Sequence, residues 1–290
     1  MMTTETQRFD PVKYKMTTEE QWDTAARAWN DWGPFIRRWL GPSTELLLDM
    51  CGVVKGSRVL VVAAGAGDET LQIAERVGPS GHVVATDISS RILEFAARNA
   101  ETSGFRNVET RVMDGEDLNA LDEESFDAVI SRVGLIYFPD QQKALAGMKR
   151  VLRPGGRIGA IVYSTPENNK FFSIPVSIIR QRANLPPPLP GQPGPFSLGS
   201  LGVLRGELSK AGFKNVEIST IRAPLMLPTA SECLRFEKES FGALHTMLAG
   251  LDQEAREDAW TEIHEKLKQF ETENDGFVGP CELVLGVGSK

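Results

Sequence analysis

The stretch R-V-L-V-V-A-A-G-A-G-D-E-T, residues 58–70, decides the fold. Its first half is a short, apolar, β-branched run, as a strand buried on both faces requires. A glycine turn follows at Gly65 and Gly67, and a helical pattern then runs from Glu69 to Val77. Gly65 permits the tight turn, and Gly67 is expected to let a ligand approach the backbone. A plain strand-to-helix turn can look the same, so the flanking strands have to carry the argument.

Downstream, H-V-V-A-T at 82–86 is the next strand and ends at Asp87, twenty residues beyond Gly67. An acid there is placed to accept hydrogen bonds from a ribose diol. After a helix over 90–103, a third strand at 108–113 ends at Asp114, followed by Gly115 and Glu116. A fourth strand spans 126–132, a helix 140–152 and a fifth strand 157–163. Alternating strands and helices imply right-handed crossovers and a parallel sheet. Acids and glycines at successive strand ends then converge on one crevice, where open α/β sheets bind ligands.

Outside this block the rhythm is irregular. Residues 1–16 are polar and read as a mobile start. Thr17 and Glu20 are spaced as a capping box for a helix carrying Trp22, Ala26 and Trp29. Gly33-Pro34 and Gly41-Pro42 read as breaks, giving a second short helix over 35–40 and a third from Ser43 to about Cys51. Beyond Tyr163, residues 168–182 look helical with Phe171 and Phe172 on the apolar face. The proline-rich run 185–196 is stiff and is expected to lie over the crevice as a lid. A helix at 201–211, a strand at 214–221, a long helical stretch over 230–271 and a strand at 281–288 complete the chain. In the long stretch, Trp260, Ile263, Leu267 and Phe270 form one face. The expected division is a helical cap (1–54), an α/β core (55–163), a lid insertion (164–200) and a C-terminal part with a helical insertion (201–290).

Composition narrows the function. The net charge of −7 over 290 residues disfavours phosphate backbones, so nucleic acid is not the expected partner. No apolar run reaches about 18 residues, so no membrane span is expected, and no secretory signal is visible. Three scattered cysteines (Cys51, Cys233, Cys281) and three histidines (His82, His245, His264) show no metal spacing. A reduced, cytoplasmic protein with no metal is expected, as a monomer or homodimer.

The nucleoside can be narrowed further. A dinucleotide fingerprint needs a third glycine where Thr70 stands. Asp68 and Glu69 occupy the helix start, the place that binds pyrophosphate, and two carboxylates there repel phosphate. They tolerate a cationic, phosphate-free nucleoside such as S-adenosylmethionine. A short-chain dehydrogenase would need Tyr-x-x-x-Lys, but Thr18, Gln141 and Glu167 stand four residues after the three tyrosines.

With these pieces in place, the chain resembles class I S-adenosylmethionine-dependent methyltransferases, and is similar to the ubiquinone/menaquinone-biosynthesis C-methyltransferase branch. The matching segments are V-V-A-A-G-A-G-D (61–68), V-A-T-D-I-S (84–89), M-D-G-E (113–116), F-D-A-V-I-S-R (126–132), V-L-R-P-G-G-R (151–157) and L-S-K-A-G-F-K-N-V (208–216). The turn is poorer in glycine than in many relatives, which often carry Gly where Ala63 or Ala64 stands. The resemblance implies a Rossmann-like, doubly wound, seven-stranded sheet whose last strand is antiparallel, with 214–221 and 281–288 as the final two strands. It implies that Ala64, Gly65 and Gly67 wrap the methionine part of the cofactor. Asp87 would hold the ribose, with Ile88 against the adenine. Asp114 would accept from the adenine amino group beside Met113 and Gly115, and Ser131 and Arg132 would offer backbone groups to the cofactor tail.

The acceptor is less legible. In-line transfer from a sulfonium needs alignment and exclusion of water, and a base only if the acceptor must lose a proton. Tyr137, just after the fourth strand, is the best contact candidate; His245 and His264 are possible bases. Trp22, Trp29, Phe171 and Phe172 are candidates for an apolar acceptor pocket. The expected activity is methylation of O, C or N on a small or medium apolar molecule. A protein or RNA methyltransferase and a non-enzymatic binder of the same fold are the alternatives.

Overall fold

The computed structural model describes residues 9–189 and 192–290. At its centre, β1 (Arg58–Val62) lies between β2 (His82–Asp87) and β4 (Phe126–Arg132), parallel to both. Outward on one side comes β3 (Val108–Val112). On the other come β5 (Leu152–Tyr163), β10 (Glu282–Ser289) and β6 (Lys214–Arg222), giving the order β3-β2-β1-β4-β5-β10-β6. β10 runs antiparallel to both neighbours. This is the seven-stranded sheet with an antiparallel last strand that the sequence implies, with the final two strands where expected. Val59 to Val62 are all buried, as the β-branched run predicts.

The chain steps outward from β1 through α3 (Asp68–Val77) and α4 (Ser90–Thr102), and outward from β4 through α5 (Gln141–Val151) and α7 (Leu201–Lys210). Right-handed crossovers in opposite directions put these helix pairs on opposite faces. The direction switches between β1 and β4, which opens a crevice at their carboxyl ends.

The N-terminal segment differs from expectation in two ways. The first helix, α1, spans Pro11–Asp31 and starts six residues before Thr17. Asp10 caps it by accepting from the Val12 and Lys13 N–H groups, and Pro11 supplies a preset φ at the first turn. Thr17 is therefore interior, and only residues 1–8 of the stretch read as mobile lie outside the described residues. Second, α2 runs unbroken from Gly33 to Met50 through Gly41-Pro42. Its buried positions recur as 35/36, 39/40, 43/44 and 47/48, one continuous stripe. Pro42 and Arg38 both face solvent, so the carbonyl freed by the missing proline N–H meets water. The stripe packs on β5 so closely that a Cβ on Gly159 would lie 2.6 Å from Cys51 Sγ. Helix α2 thus belongs to the core layer, and α1 alone crosses the crevice.

The 230–271 stretch divides into α8 (Ala230–Ser240), α9 (Gly242–Leu248) and α10 (Gln253–Leu267), inserted between β6 and β10. Trp260, Ile263 and Leu267 are buried, as their spacing anticipates. A small sheet of β7 (Leu225–Leu227), β9 (Gly276–Gly279) and β8 (Glu271–Thr272) has no counterpart in the sequence reading. Helix α6 (Lys170–Arg182) packs against α10 rather than over the crevice. None of the described residues of 164–200 lines the crevice; Pro190 and Gly191 of the expected lid lie outside the described residues. Among the described residues, no helix is long and apolar enough to cross a membrane.

Candidate active site

The crevice is lined from α1, the glycine turn and the carboxyl ends of β1, β2, β4 and β5. Its floor is the exits of β1 and β4. Ala63 and Val133, the residues after these strands, both have left-handed φ, 60° and 59°. For a β-branched residue that conformation is an outlier of the kind that gathers at functional sites. The two exits approach so closely that a Cβ on Gly134 would lie 2.4 Å from the Ala63 Cβ.

Along one wall, Asp87 ends β2 as expected. Its Oδ2 accepts from the Gly65 N–H and its Oδ1 from the Ser89 N–H, each at 3.0 Å. Burial pushes its carboxyl up to about 6, and the backbone donors offset part of that rise. Ile88, Met113, Asp114 and Gly115 line the same wall. Gly115 makes room for Phe138, whose ring would sit 2.5 Å from a Cβ there. Asp114 is already partnered: Lys15 Nζ, from α1, lies 2.6 Å from Asp114 Oδ2 and 2.7 Å from Glu116 Oε2.

Gly67 needs correction. It has φ 90° and packs against α4, where a Cβ would lie 2.9 Å from the Ala96 backbone; it does not line the crevice. Close helix packing requires this glycine, whereas Ala64 and Gly65 do face the cavity. The Ser131 side chain is likewise buried behind the wall, while Arg132 lines it.

The first turn of α3 also differs from the simple reading of two free carboxylates. Arg132 Nη2 lies 2.6 Å from Asp68 Oδ2 and its Nε lies 3.8 Å from Glu69 Oε2, while Nη1 donates to the Thr44 hydroxyl. Burial alone would lower the Arg132 pKa; Asp68 and Glu69 outweigh it and raise it. The repulsion expected from Asp68 and Glu69 is thus partly neutralised. Among the described residues, both cations lining the crevice, Lys15 and Arg132, bond carboxylates.

On the other side the walls are aromatic. Trp22 and Trp29 line the crevice in edge contact at 5.4 Å, and Trp22 meets Tyr137 edge-on at 5.7 Å. Trp29 covers the glycine turn: a Cβ on Gly65 would approach its indole Nε1 to 3.2 Å. Tyr163, the last residue of β5, and Phe241, at the junction of α8 and α9, complete this wall. Burial raises the pKa of Tyr137 and of Tyr163, so both hydroxyls stay protonated.

Four other candidates lie elsewhere. Phe171 and Phe172 are buried in the core, stacked on each other at 5.9 Å behind Tyr163, because the apolar face of α6 turns inward. His245 is exposed, packs on Trp260 at 5.6 Å and lies 2.6 Å from the Lys238 carbonyl. His264 pairs with Ser231 on the insertion. Neither histidine lines the crevice. Conversely, Lys15, Tyr163 and Phe241 went unassigned in the sequence reading, and Glu69 was read only as a charge at the helix start. Tyr163 had a signal, its place at a strand's carboxyl end; Lys15 and Phe241 had none.

Strand order and crevice position define the class I methyltransferase fold. Solved structures share it. The YcgJ protein of Bacillus subtilis aligns at TM-score 0.55 and 22% identity over 86% of this chain and 98% of that one. Phosphoethanolamine N-methyltransferase 2 of Haemonchus contortus, in complex with S-adenosyl-L-methionine, aligns at 0.52 and 22% over 86% of this chain and 52% of that one. More particularly, residues 42–177 match the family model of the ubiE/COQ5 methyltransferase family. The ubiquinone/menaquinone biosynthesis C-methyltransferase UbiE of Idiomarina loihiensis is 38% identical over 120 residues, 41% of this chain and 47% of that protein. Its counterpart in Teredinibacter turnerae is 37% identical over 126 residues, 43% and 50% respectively. The chain spans about half the length of the curated relatives it matches.

Proposed function

We propose that this protein is an S-adenosylmethionine-dependent methyltransferase acting on O, C or N of a small or medium apolar molecule. The observation that carries the reading is Asp87, a buried carboxylate at the end of β2, fixed by the Gly65 and Ser89 N–H groups and opening on an aromatic-walled crevice. Its remaining lone pairs suit a ribose diol. The crevice fits this cofactor: it offers hydroxyl acceptors and apolar walls, and among the described residues its four carboxylates outnumber its two cations, which disfavours a pyrophosphate. The similarity to UbiE proteins supports the same conclusion.

When bound, the cofactor supplies a methyl group already activated on a sulfonium. The protein has to hold and align it. Asp87 would hold the ribose, with Ile88 and Met113 beside the base and Asp114, bonded to Lys15, available to its edge. Trp22, Trp29 and Phe241 exclude water from the acceptor side. Tyr137 and Tyr163 keep their protons and orient the acceptor by donating hydrogen bonds. The three cysteines, buried and unpaired, support a reduced, cytoplasmic setting.

The test has two arms. Calorimetry should show binding of S-adenosylhomocysteine and none of NAD or NADP; the reverse result would end the proposal. Incubation with methyl-labelled cofactor and panels of phenols, quinones and amines should then label one class.

A further inference from the structure

Among the described residues, four carboxylates line the crevice: Asp68, Glu69, Asp87 and Asp114. Three are already engaged. Asp68 bonds Arg132, Asp87 accepts from two backbone N–H groups, and Asp114 bonds Lys15. Glu69 is different. It is only 2% exposed, and its Oε1 has no hydrogen-bond partner among the described residues. A buried, unpaired carboxylate oxygen is costly, and such groups call for a missing partner. Its other oxygen lies 3.8 Å from Arg132 Nε. β1 ends at Val62, and the Ala63 and Ala64 that follow bring no acid to the glycine turn.

We infer that Glu69 is the counter-ion for the α-ammonium of the amino acid tail of the cofactor, with Arg132 beside it available to the tail carboxylate. The inference rests on the cofactor reading above and adds a specificity-determining residue to it. A zwitterion carries two opposite charges a few ångströms apart, and Glu69 with Arg132 presents the complementary pair. Asp68 and Thr44 hold the guanidinium in place. Glu69 follows the turn on which Gly65 faces the crevice, so the tail and the nucleoside are read by adjacent parts of one loop. A nucleoside without the tail leaves this pair unused.

Burial pushes the Glu69 carboxyl up to about 7; Arg132 opposes that and Asp68 adds to it. Around the cluster, Leu40 and Thr44 from α2 and Trp29 from α1 carry no titrating group and Tyr163 from β5 keeps its proton; Asp87, raised to about 6, belongs to the nucleoside side and acts alike on ligands with and without the tail. Recognition of the ammonium should therefore strengthen as pH rises through about 7 and Glu69 ionises.

The experiment compares S-adenosylhomocysteine with 5′-methylthioadenosine, which keeps the nucleoside and the thioether but lacks the tail, by calorimetry on the full chain. Wild type should prefer the tailed ligand. Glu69→Gln should lower S-adenosylhomocysteine affinity about tenfold or more and leave 5′-methylthioadenosine within about twofold, given the strength of charge-assisted hydrogen bonds. Retained 5′-methylthioadenosine binding also shows that the variant is folded. In wild type, the preference should shrink as pH falls through about 7; in Glu69→Gln it should be flat. Unchanged S-adenosylhomocysteine affinity in the variant, equal loss for both probes, or a pH-independent wild-type preference would overturn the assignment to Glu69. A wild-type protein that binds neither probe would instead overturn the cofactor reading, and this assignment with it.

Discussion

Lys15 Nζ stands 2.6 Å from Asp114 Oδ2 and ties the start of α1 to the exit of β3. The same nitrogen reaches Glu116, and further along α1, Asp23 accepts from the Ser89 hydroxyl at 2.5 Å while Asn30 accepts from Asn99 at 2.8 Å. The helix is thus stitched across the crevice by polar contacts as well as packed on it by Trp22 and Trp29. Polar clasps hold a lid in register and can be exchanged for ligand contacts.

Lys15→Ala should free α1 without unfolding the core. Partly exposed ion pairs contribute about 1 kcal/mol or less, so the melting temperature should barely move. Hydrogen exchange should rise in residues 11–31 while β1 stays protected. A uniform rise across the sheet would show that the pair supports the whole fold.

Asp87→Ala should weaken S-adenosylhomocysteine binding by about 1.5–3 kcal/mol, the range for hydrogen bonds to a charged group. Calorimetry measures it directly, and an unaltered affinity would remove Asp87 from the ribose.

Tyr137→Phe should slow turnover on the true acceptor and leave cofactor affinity unchanged. Because burial keeps this hydroxyl protonated, the wild-type rate should show no titration of Tyr137 near neutral pH. Equal losses in turnover and cofactor affinity would place Tyr137 in the cofactor site.

Glu69→Gln should stabilise the protein at alkaline pH even as it impairs tail recognition. The folded-state carboxyl is raised from 4.5 to about 7, so its protonated form is the one the fold prefers. That contribution is complete below the unfolded value and is lost as pH rises through about 7. The ionised side chain then costs up to about 3 kcal/mol at pH 8, from the size of the shift. The melting temperature of Glu69→Gln relative to wild type should therefore climb between about pH 5 and pH 8. A constant difference would mean that Glu69 titrates normally.

Gly134→Ala should destabilise by about 1–3 kcal/mol, the usual cost of overpacking, because the added methyl would meet Ala63 at 2.4 Å. Denaturant unfolding reads the loss, and wild-type stability would show that the two strand exits can part.

Much of the site was legible before the fold was known. Asp87, Asp114 and Gly65 stand at strand ends, and strand ends follow from apolar runs and turn residues close in sequence. Gly67 was legible as a glycine but not in its role, since nothing local reveals that Ala96 packs against it. The break read at Gly41-Pro42 failed for a similar reason. Local chemistry argues for a stop there, but a buried stripe repeating every four residues through α2 outweighs one proline facing water.

The alternation of strands and helices, the antiparallel last strand (through the family resemblance) and the acids at the strand ends that line the crevice could all be read from the residues alone. Periodicity and turn chemistry act over a few residues, so they can be read along the chain. Only the tertiary structure decided which charges meet. Lys15 and Asp114 are 99 residues apart, and Arg132 and Asp68 are 64 apart. It also turned Phe171 and Phe172 inward and left Glu69 with a free oxygen over the floor of the crevice. Coulomb attraction and desolvation depend on distance and burial in space, and neither is written in the spacing of residues along the chain.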